Sequence, residues 1–332
     1  MTVASEGQLG AGTVVDHYRI VRRLGEGGFS EAYEAIDERS QVRVVLKVPS
    51  LAIIGDPQTF ERFRRETAIA RRLDHPNVQR SLDVGENRSR PYLVLEYVEG
   101  ETLRQNLRGR LPLSVDEAVG YGRQLAGALA HAHAHGIAHR DLKPENVLVT
   151  AADGQLKLFD FGIALMAGAR RVTWRYLNDR LGTPDYMAPE QIEGKRGDQR
   201  TDVYALGIML YEFLAGQVPF AGDNALAVMS QTVHDPPTPL HERNHAVSPP
   251  LGAVIHKAMR KDPDERYQSA EEMLHDLEHL DDIDLAQFVL GPERAGSMPS
   301  DRRMLLLGGL IGAGFVLFIV LAVVITILLE HR

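Results

Sequence analysis

HAHAHGIAHRDLKPEN, residues His131–Asn146, is the stretch from which the rest of the chain can be read. It holds His131, His133, His135 and His139, four of the chain's 13 histidines, and then a run of alternating charge. That run brings Asp141, Lys143 and Asn146 together in a few residues, and LKLFDFG (Leu156–Gly162) sets Asp160 directly after an apolar strand. A carboxylate and an asparagine amide brought together are hard oxygen ligands, of the kind Mg²⁺ takes when substrate phosphates hold it. The histidines do not make a metal site. Residues two apart on a helix point about 200° away from each other, so only His131 and His135 share a face and a third ligand is missing. With Gly136 ending the helix, His131, His133 and His135 are expected to form a polar last turn at the negative end of the dipole.

Upstream, LGEGGFSEAY (Leu24–Tyr33) places Gly25, Gly27 and Gly28 between two strands. Glycines there let backbone N–H groups come close to a phosphate chain, although glycine-rich turns occur in any sheet. The next strand, VVLKV, carries Lys47 among apolar residues, and a buried ammonium needs an anion. Glu66, on the helix that follows, is the expected partner.

Composition narrows the class. A chain of 332 residues with 44% hydrophobic and 25% charged residues has enough apolar surface for one large or two medium domains. The formal net charge of −8 argues against a general nucleic-acid surface, which draws its affinity from clustered Lys and Arg. The absence of cysteine excludes disulfides, thiolate metal sites and a cysteine nucleophile. MTVASEGQLG has no basic start followed by an apolar run, so no secretory signal is read. Near the other end, Met304–Leu329 runs without a charge, and about 20 apolar residues span a bilayer. Arg294, Arg302 and Arg303 before this segment, against Arg332 after it, put the bulk of the chain on the cytoplasmic side of a membrane, as a single-pass protein with a C-terminal anchor.

Along the chain, residues 1–15 are small and polar and expected to lack structure. HYRIVRRLGEGGFSEAYEAIDE and VRVVLKVPS read as antiparallel strands, FERFRRETAIARRL as a helix and PYLVLEYV as a further strand. SVDEAVGYGRQLAGALAHAHAHG opens on a Ser114/Glu117 capping box, and DVYALGIMLYEFLAG and SAEEMLHDLEHL are more helices. A small β-rich part followed by a larger helical part gives an α+β fold of two lobes, about 16–97 and 101–280, with a cleft between them. Residues 281–303 form a polar juxtamembrane linker before the 304–329 transmembrane helix.

Taken in order, Gly25-Glu-Gly27, Val44-Val-Leu-Lys47, Glu66, His139-Arg-Asp141-Leu-Lys143-Pro-Glu-Asn146, Asp160-Phe-Gly162 and Ala188-Pro-Glu190 resemble the eukaryotic-type protein kinases over about residues 18–280. The resemblance implies a two-lobed kinase fold and transfer of the ATP γ-phosphate to Ser/Thr hydroxyls of proteins. It implies that Lys47 holds the α- and β-phosphates and pairs with Glu66, that Asn146 and Asp160 hold Mg²⁺ or Mn²⁺, and that Asp141 accepts the hydroxyl proton. Lys143 is expected on the transferring phosphoryl, with Thr183 bridging to it, both features of the Ser/Thr branch. ATP is expected against Leu24, Gly25, Glu26, Gly27, Gly28, Phe29, Ser30, Glu31 and Ala32, with Val45 and Leu148 as walls, Leu95 as gatekeeper and the backbone of Glu96 to Val98 at the adenine edge. Two positions depart from the pattern: Ser30 stands for the third glycine and Ala32 for a valine over the adenine, which points to weak ATP binding. Arg266 is expected to pair with Glu190, Asp202 to steady the catalytic loop and His139 to brace it. The style of the second lobe resembles bacterial members.

Neither alternative class fits. A scaffold without activity needs a lesion at Lys47, Asp141, Asn146 or Asp160, and a small-molecule phosphotransferase lacks the Gly182-Thr-Pro-Asp-Tyr-Met-Ala-Pro-Glu190 element. Thr173, just after Arg170 and Arg171, is the expected activating phosphosite, modified in trans and then paired with Arg140. Glu145 and Glu101 match acidic positions that hold substrate arginines. Gly308 and Gly312 offer a small-residue face through which two membrane helices could form a homodimer.

Overall fold

The computed structural model of the chain describes residues 9–26, 30–49, 71–82, 88–161 and 184–287. Outside these lie Gly27, Gly28, Phe29, Glu66, Gly162, Thr173, Thr183, most of the FERFRRETAIARRL segment and the whole 304–329 stretch. Among the described residues no helix is long and apolar enough to cross a membrane.

Strands β1 (Val14–Val15), β2 (Tyr18–Glu26), β3 (Ser30–Asp37), β4 (Arg43–Pro49) and β5 (Leu93–Glu96) pair antiparallel in that order. The side-chain period of two sorts their faces. Ile20, Tyr33, Ala35, Val44, Leu46 and Val48 fill a core on one side. Val45 and Lys47, the alternate residues of β4, therefore look the other way, and Lys47 lies opposite Ala32 and Leu93 in the two neighbouring strands. Two register shifts in the β2–β3 ladder, before Arg22 and before Gly25, bend β2 as it approaches the glycine stretch. The first fifteen residues, expected to lack structure, are bonded from Leu9 onward: Leu9 N donates to the Tyr33 hydroxyl and Gly12 N to Ile20 O at 2.8 Å. The edge of β2 has unpaired backbone groups to offer, and this segment takes them.

A second sheet of β6 (Gly100–Thr102), β7 (Val147–Thr150) and β8 (Leu156–Leu158) lies on the helical part. The helices are α1 (Leu103–Asn106), α2 (Val115–Ala134), α3 (Pro189–Ile192), α4 (Gln199–Ala215), α5 (Ala225–His234), α6 (Leu240–Arg243), α7 (Pro249–Ala258) and α8 (Ala270–Glu278). Every residue of α4 from Thr201 to Leu214 is buried, so this helix is the axis around which the lobe is built. Its neighbours come close because glycines let them: a Cβ on Gly207 would meet Ala258 Cβ at 2.9 Å, and one on Gly122 of α2 would meet Leu210 Cδ2 at 2.9 Å. Asp198 caps α4 at its start and Gly216, at φ 81°, ends it in the left-handed region. Helix α2 begins as expected with Ser114 accepting from Glu117 N at 3.3 Å, but the Glu117 side chain serves Arg110 at 2.5 Å, so this start is a simple cap with an ion pair beside it. The expected linker begins with two 3₁₀ turns, Leu280–Asp282 and Leu285–Gln287. The two parts are thus a β-sheet lobe with its own core and a helical lobe with a larger one, joined through Tyr97 to Glu99.

Candidate active site

The loop between α2 and β7 is anchored from below by one buried carboxylate. Asp202, on α4 and fully buried, accepts from His139 N at 2.7 Å, from Arg140 N at 2.6 Å and from His133 Nε2 at 2.8 Å. Arg140 has a left-handed φ of 63°, a strained value for a side-chain-bearing residue. The strain is held on both sides, by Asp202 at its N–H and by Gln191 Nε2 donating to its carbonyl at 2.9 Å.

His139 is buried and ties the two loops together. Its Nε2 donates to Phe159 O at 2.9 Å, its Nδ1 accepts from Asp141 N at 3.3 Å, and its ring stands edge-on to Phe161 at 4.9 Å. One donor and one acceptor make the neutral ring. Burial pushes its pKa below the usual histidine value, with Asp202 opposing. His133 departs from the sequence expectation. It points inward to Asp202 instead of forming a solvated last turn, whereas His131 and His135 do share a face, rings 4.7 Å apart. Among the described residues no group of three His, Cys, Asp or Glu could hold a metal ion.

On this base stand the side chains expected to carry the chemistry. Lys143 Nζ donates to both Asp141 oxygens at 2.9 Å, and Asn146 Nδ2 donates to Asp141 O at 2.7 Å and Asp141 Oδ2 at 2.9 Å. Both partners of that amide nitrogen are acceptors, which fixes the orientation of the Asn146 amide and turns its oxygen away from Asp141. Asp160, at φ 69°, presents its carboxylate to Lys47 of β4 in a direct ion pair. Burial pushes the Lys47 ammonium down, to about 7, and the Asp141 charge opposes this. A buried ammonium so placed is stabilised by any further anion that enters the cleft.

The expected nucleotide walls are partly in view. Gly25 lies opposite Ala32 and Glu26 opposite Glu31 across the β2–β3 ladder, with open space over Gly25. Leu24 is exposed, Ser30 and Val45 are buried, and Leu148 of β7 lies between Thr102 and Lys157. Leu95, Glu96 and Val98 are half-buried at the join of the lobes. Glu96 turns its carboxylate to Lys157 Nζ at 2.8 Å and Arg80 N at 3.0 Å, and its carbonyl accepts from Gln79 Nε2 at 2.9 Å. The donor set fits a nucleotide with a divalent cation. Asn146 and Asp160, whose carboxylate meets Lys47, would supply hard oxygen ligands to a divalent cation.

The expected Glu190–Arg266 pair is present and fully engaged. Arg266 grips the carboxylate at 2.9 and 2.7 Å and spends its other donors on the carbonyls of Arg260, Arg200 and Lys261, while Thr201 Oγ1 adds a bond at 2.8 Å. Burial acts to raise the Glu190 pKa, but the bonds and charge of Arg266 outweigh it and hold the carboxyl below the usual range. Arg104 of α1 spans Glu145, Glu212 and Tyr186, a cluster that sequence reasoning missed because its members are far apart in the chain.

A family profile described as the protein kinase domain matches residues 18–277. The serine/threonine-protein kinase PknB of Mycolicibacterium smegmatis is 40% identical over 266 residues, 79% of this chain and 42% of that protein. The serine/threonine-protein kinase PrkC of Bacillus subtilis is 37% identical over 267 residues, 80% of this chain and 41% of that protein. The chain thus spans about two fifths of the length of these relatives. Among solved structures, the PknI kinase domain of Mycobacterium tuberculosis superposes with a TM-score of 0.63 at 30% identity, over 82% of this chain and 100% of that one. A profile match across both lobes, together with relatives at this level of identity, means that the chain belongs to the protein kinase domain family.

Proposed function

We propose that the chain is a serine/threonine protein kinase that uses ATP with Mg²⁺ or Mn²⁺. The observation that carries this is the Asp141 carboxylate held between Lys143 and Asn146, with Asp160 facing Lys47. ATP would supply the phosphoryl group. Asp141 orients a substrate hydroxyl and takes its proton, and its carboxylate is steered by the two neighbours that bond it. Lys143, close to Asp141, is placed to offset negative charge that builds on the far side of that hydroxyl. Lys47 and the oxygens of Asn146 and Asp160 would hold the phosphates and the cation. Lys143 and the two relatives' names support Ser/Thr hydroxyls as acceptors. Incubation with radiolabelled ATP and a generic basic protein tests this. Label should appear on serine and threonine and vanish with Lys47→Met; label that persists in that variant would rule the scheme out.

The same proposal places the chain in a membrane through Met304–Leu329, with the kinase portion on the cytoplasmic side to which Arg294, Arg302 and Arg303 point. Alkaline washing of cell membranes should leave the full chain in the pellet and release a version ending at residue 303. Gly308→Ile with Gly312→Ile should weaken crosslinking between two copies if those residues pair the helices. Thr173 is proposed as the activating site, its phosphate pairing with Arg140. Mass spectrometry should find phosphate there in the wild type and not in Asp141→Asn, and phosphate in both or in neither would end the idea.

A further inference from the structure

Helix α1 is short, yet it is firmly placed. Thr102 and Gln105 close a reciprocal cap at its start, and Leu103 is buried in the helical core. The residue between them, Arg104, is thereby aimed at the recess beside the catalytic loop. Its Nε donates to Glu145 Oε1 at 2.7 Å, one NH group donates to Glu212 Oε1 at 2.7 Å, and the other donates to the Tyr186 hydroxyl, over whose ring the guanidinium lies at 5.7 Å. Tyr186 in turn donates to Glu212 Oε2 at 2.5 Å, so both carboxylates are engaged from inside the chain. Glu212 is only 7% exposed, whereas Glu145 is 46% exposed. Asp185 adjoins the recess, and burial together with the Glu212 charge pushes its pKa up. Three acidic groups thus surround one cation.

The position of this recess gives it meaning. Glu145 sits between Lys143 and Asn146, the two side chains that bond Asp141. A polypeptide that offers a hydroxyl to Asp141 draws its neighbouring residues across this loop, at about 3.3 Å per extended residue. An arginine in that polypeptide would find here two carboxylates, but the chain's own arginine already holds them. We propose that Arg104 fills, from within the chain, the acidic recess beside Asp141 that would otherwise take a substrate arginine, and so selects for polypeptides without a basic residue at that position. This inference rests on the protein-kinase reading given above. It corrects the expectation that Glu145 is free for substrate arginines, and Glu101, the other residue so expected, accepts from Asn106 Nδ2 at 3.0 Å. Arg170 and Arg171 before Thr173 are then not read by Glu145.

The test uses serine peptides in which one arginine is walked through the positions flanking the serine. Fluorescence anisotropy measures their binding to the full chain, and transfer from ATP is measured separately. The wild type should show no arginine-dependent gain at any position. Arg104→Gln, which leaves both carboxylates without their cation, should bind the arginine peptide of one position about 10-fold more tightly than its alanine counterpart. Adding Glu145→Gln should cancel that gain. A strong arginine preference in the wild type overturns the proposal, and this arm needs no variant to fold. An unchanged profile in a folded Arg104→Gln, or in Arg104→Met, which keeps the stem against Tyr186, overturns it equally. Binding that responds as expected while no phosphate is transferred supports the recess and counts against the kinase reading, so the two failures are told apart.

Discussion

On the helical side of the cleft, Asp202 is fully buried and accepts three hydrogen bonds; on the sheet side, Leu24 is 39% exposed and Gly25 faces open space. The residues of the first region hold one another in place across large sequence separations, and those of the second are held chiefly by strand pairing. On the proposed reading, the contrast follows from what each side would have to do. A carboxylate that receives a proton gains from a fixed position, because a small misplacement loses much of the benefit of orientation. A phosphate cradle made of backbone must admit and release its ligand, so a strand end with register shifts and glycine serves it better.

The contrast is broken most strongly at Glu190–Arg266. Arg266→Met leaves a buried carboxylate without its partner and should cost about 3–5 kcal/mol of stability. A urea midpoint close to that of the wild type would mean that this side is not the rigid one. Asp202→Asn keeps the shape but sets an N–H₂ against one of three donors, at about 2 kcal/mol, and should slow phosphate transfer as the catalytic loop loosens. A variant of full activity would detach Asp202 from the chemistry.

Acid should sharpen the difference. The folded Glu190 pKa lies below its ordinary value of 4.5, so its contribution is present above that value and is lost as pH falls through the folded pKa. The His139 pKa lies below 6.5, so the unfolded chain takes up that proton first and stability begins to fall as pH drops under 6.5. Asp185, shifted upward, works in the opposite direction. Urea midpoints measured down from pH 7.5 should therefore fall, and His139→Asn should flatten the part of the slope nearest 6.5. A midpoint that rises with acid would reverse the assignment. The smallest effect belongs to the other side: Gly25→Ala meets open space and should stay within about 0.5 kcal/mol in stability while raising the ATP KM.

What the sequence made legible divides along similar lines. Alternation in HYRIVRRL and VRVVLKVP located β2 and β4, because period two is a local property of the chain. Ser114 and Gly136 marked the ends of α2 for the same reason. The Glu190–Arg266 and Asp202 contacts came from resemblance, since nothing local in Arg266 says which carboxylate it will meet. His133 and Arg104 were misread or missed on that account. Their partners stand 69 and 108 residues away, so their roles are set by how α2, α1 and α4 pack. A histidine near a helix end looks solvated until the packing turns it inward.

The most direct measurement is the rate of phosphate transfer from ATP to a generic protein by the wild type and by Asp141→Asn, with urea midpoints taken on both. If Asp141 is the proton acceptor on a rigid base, the variant loses about 10²–10⁴-fold in rate and keeps its midpoint to within about 0.5 kcal/mol. Retention of the wild-type rate by a folded Asp141→Asn would contradict that assignment outright.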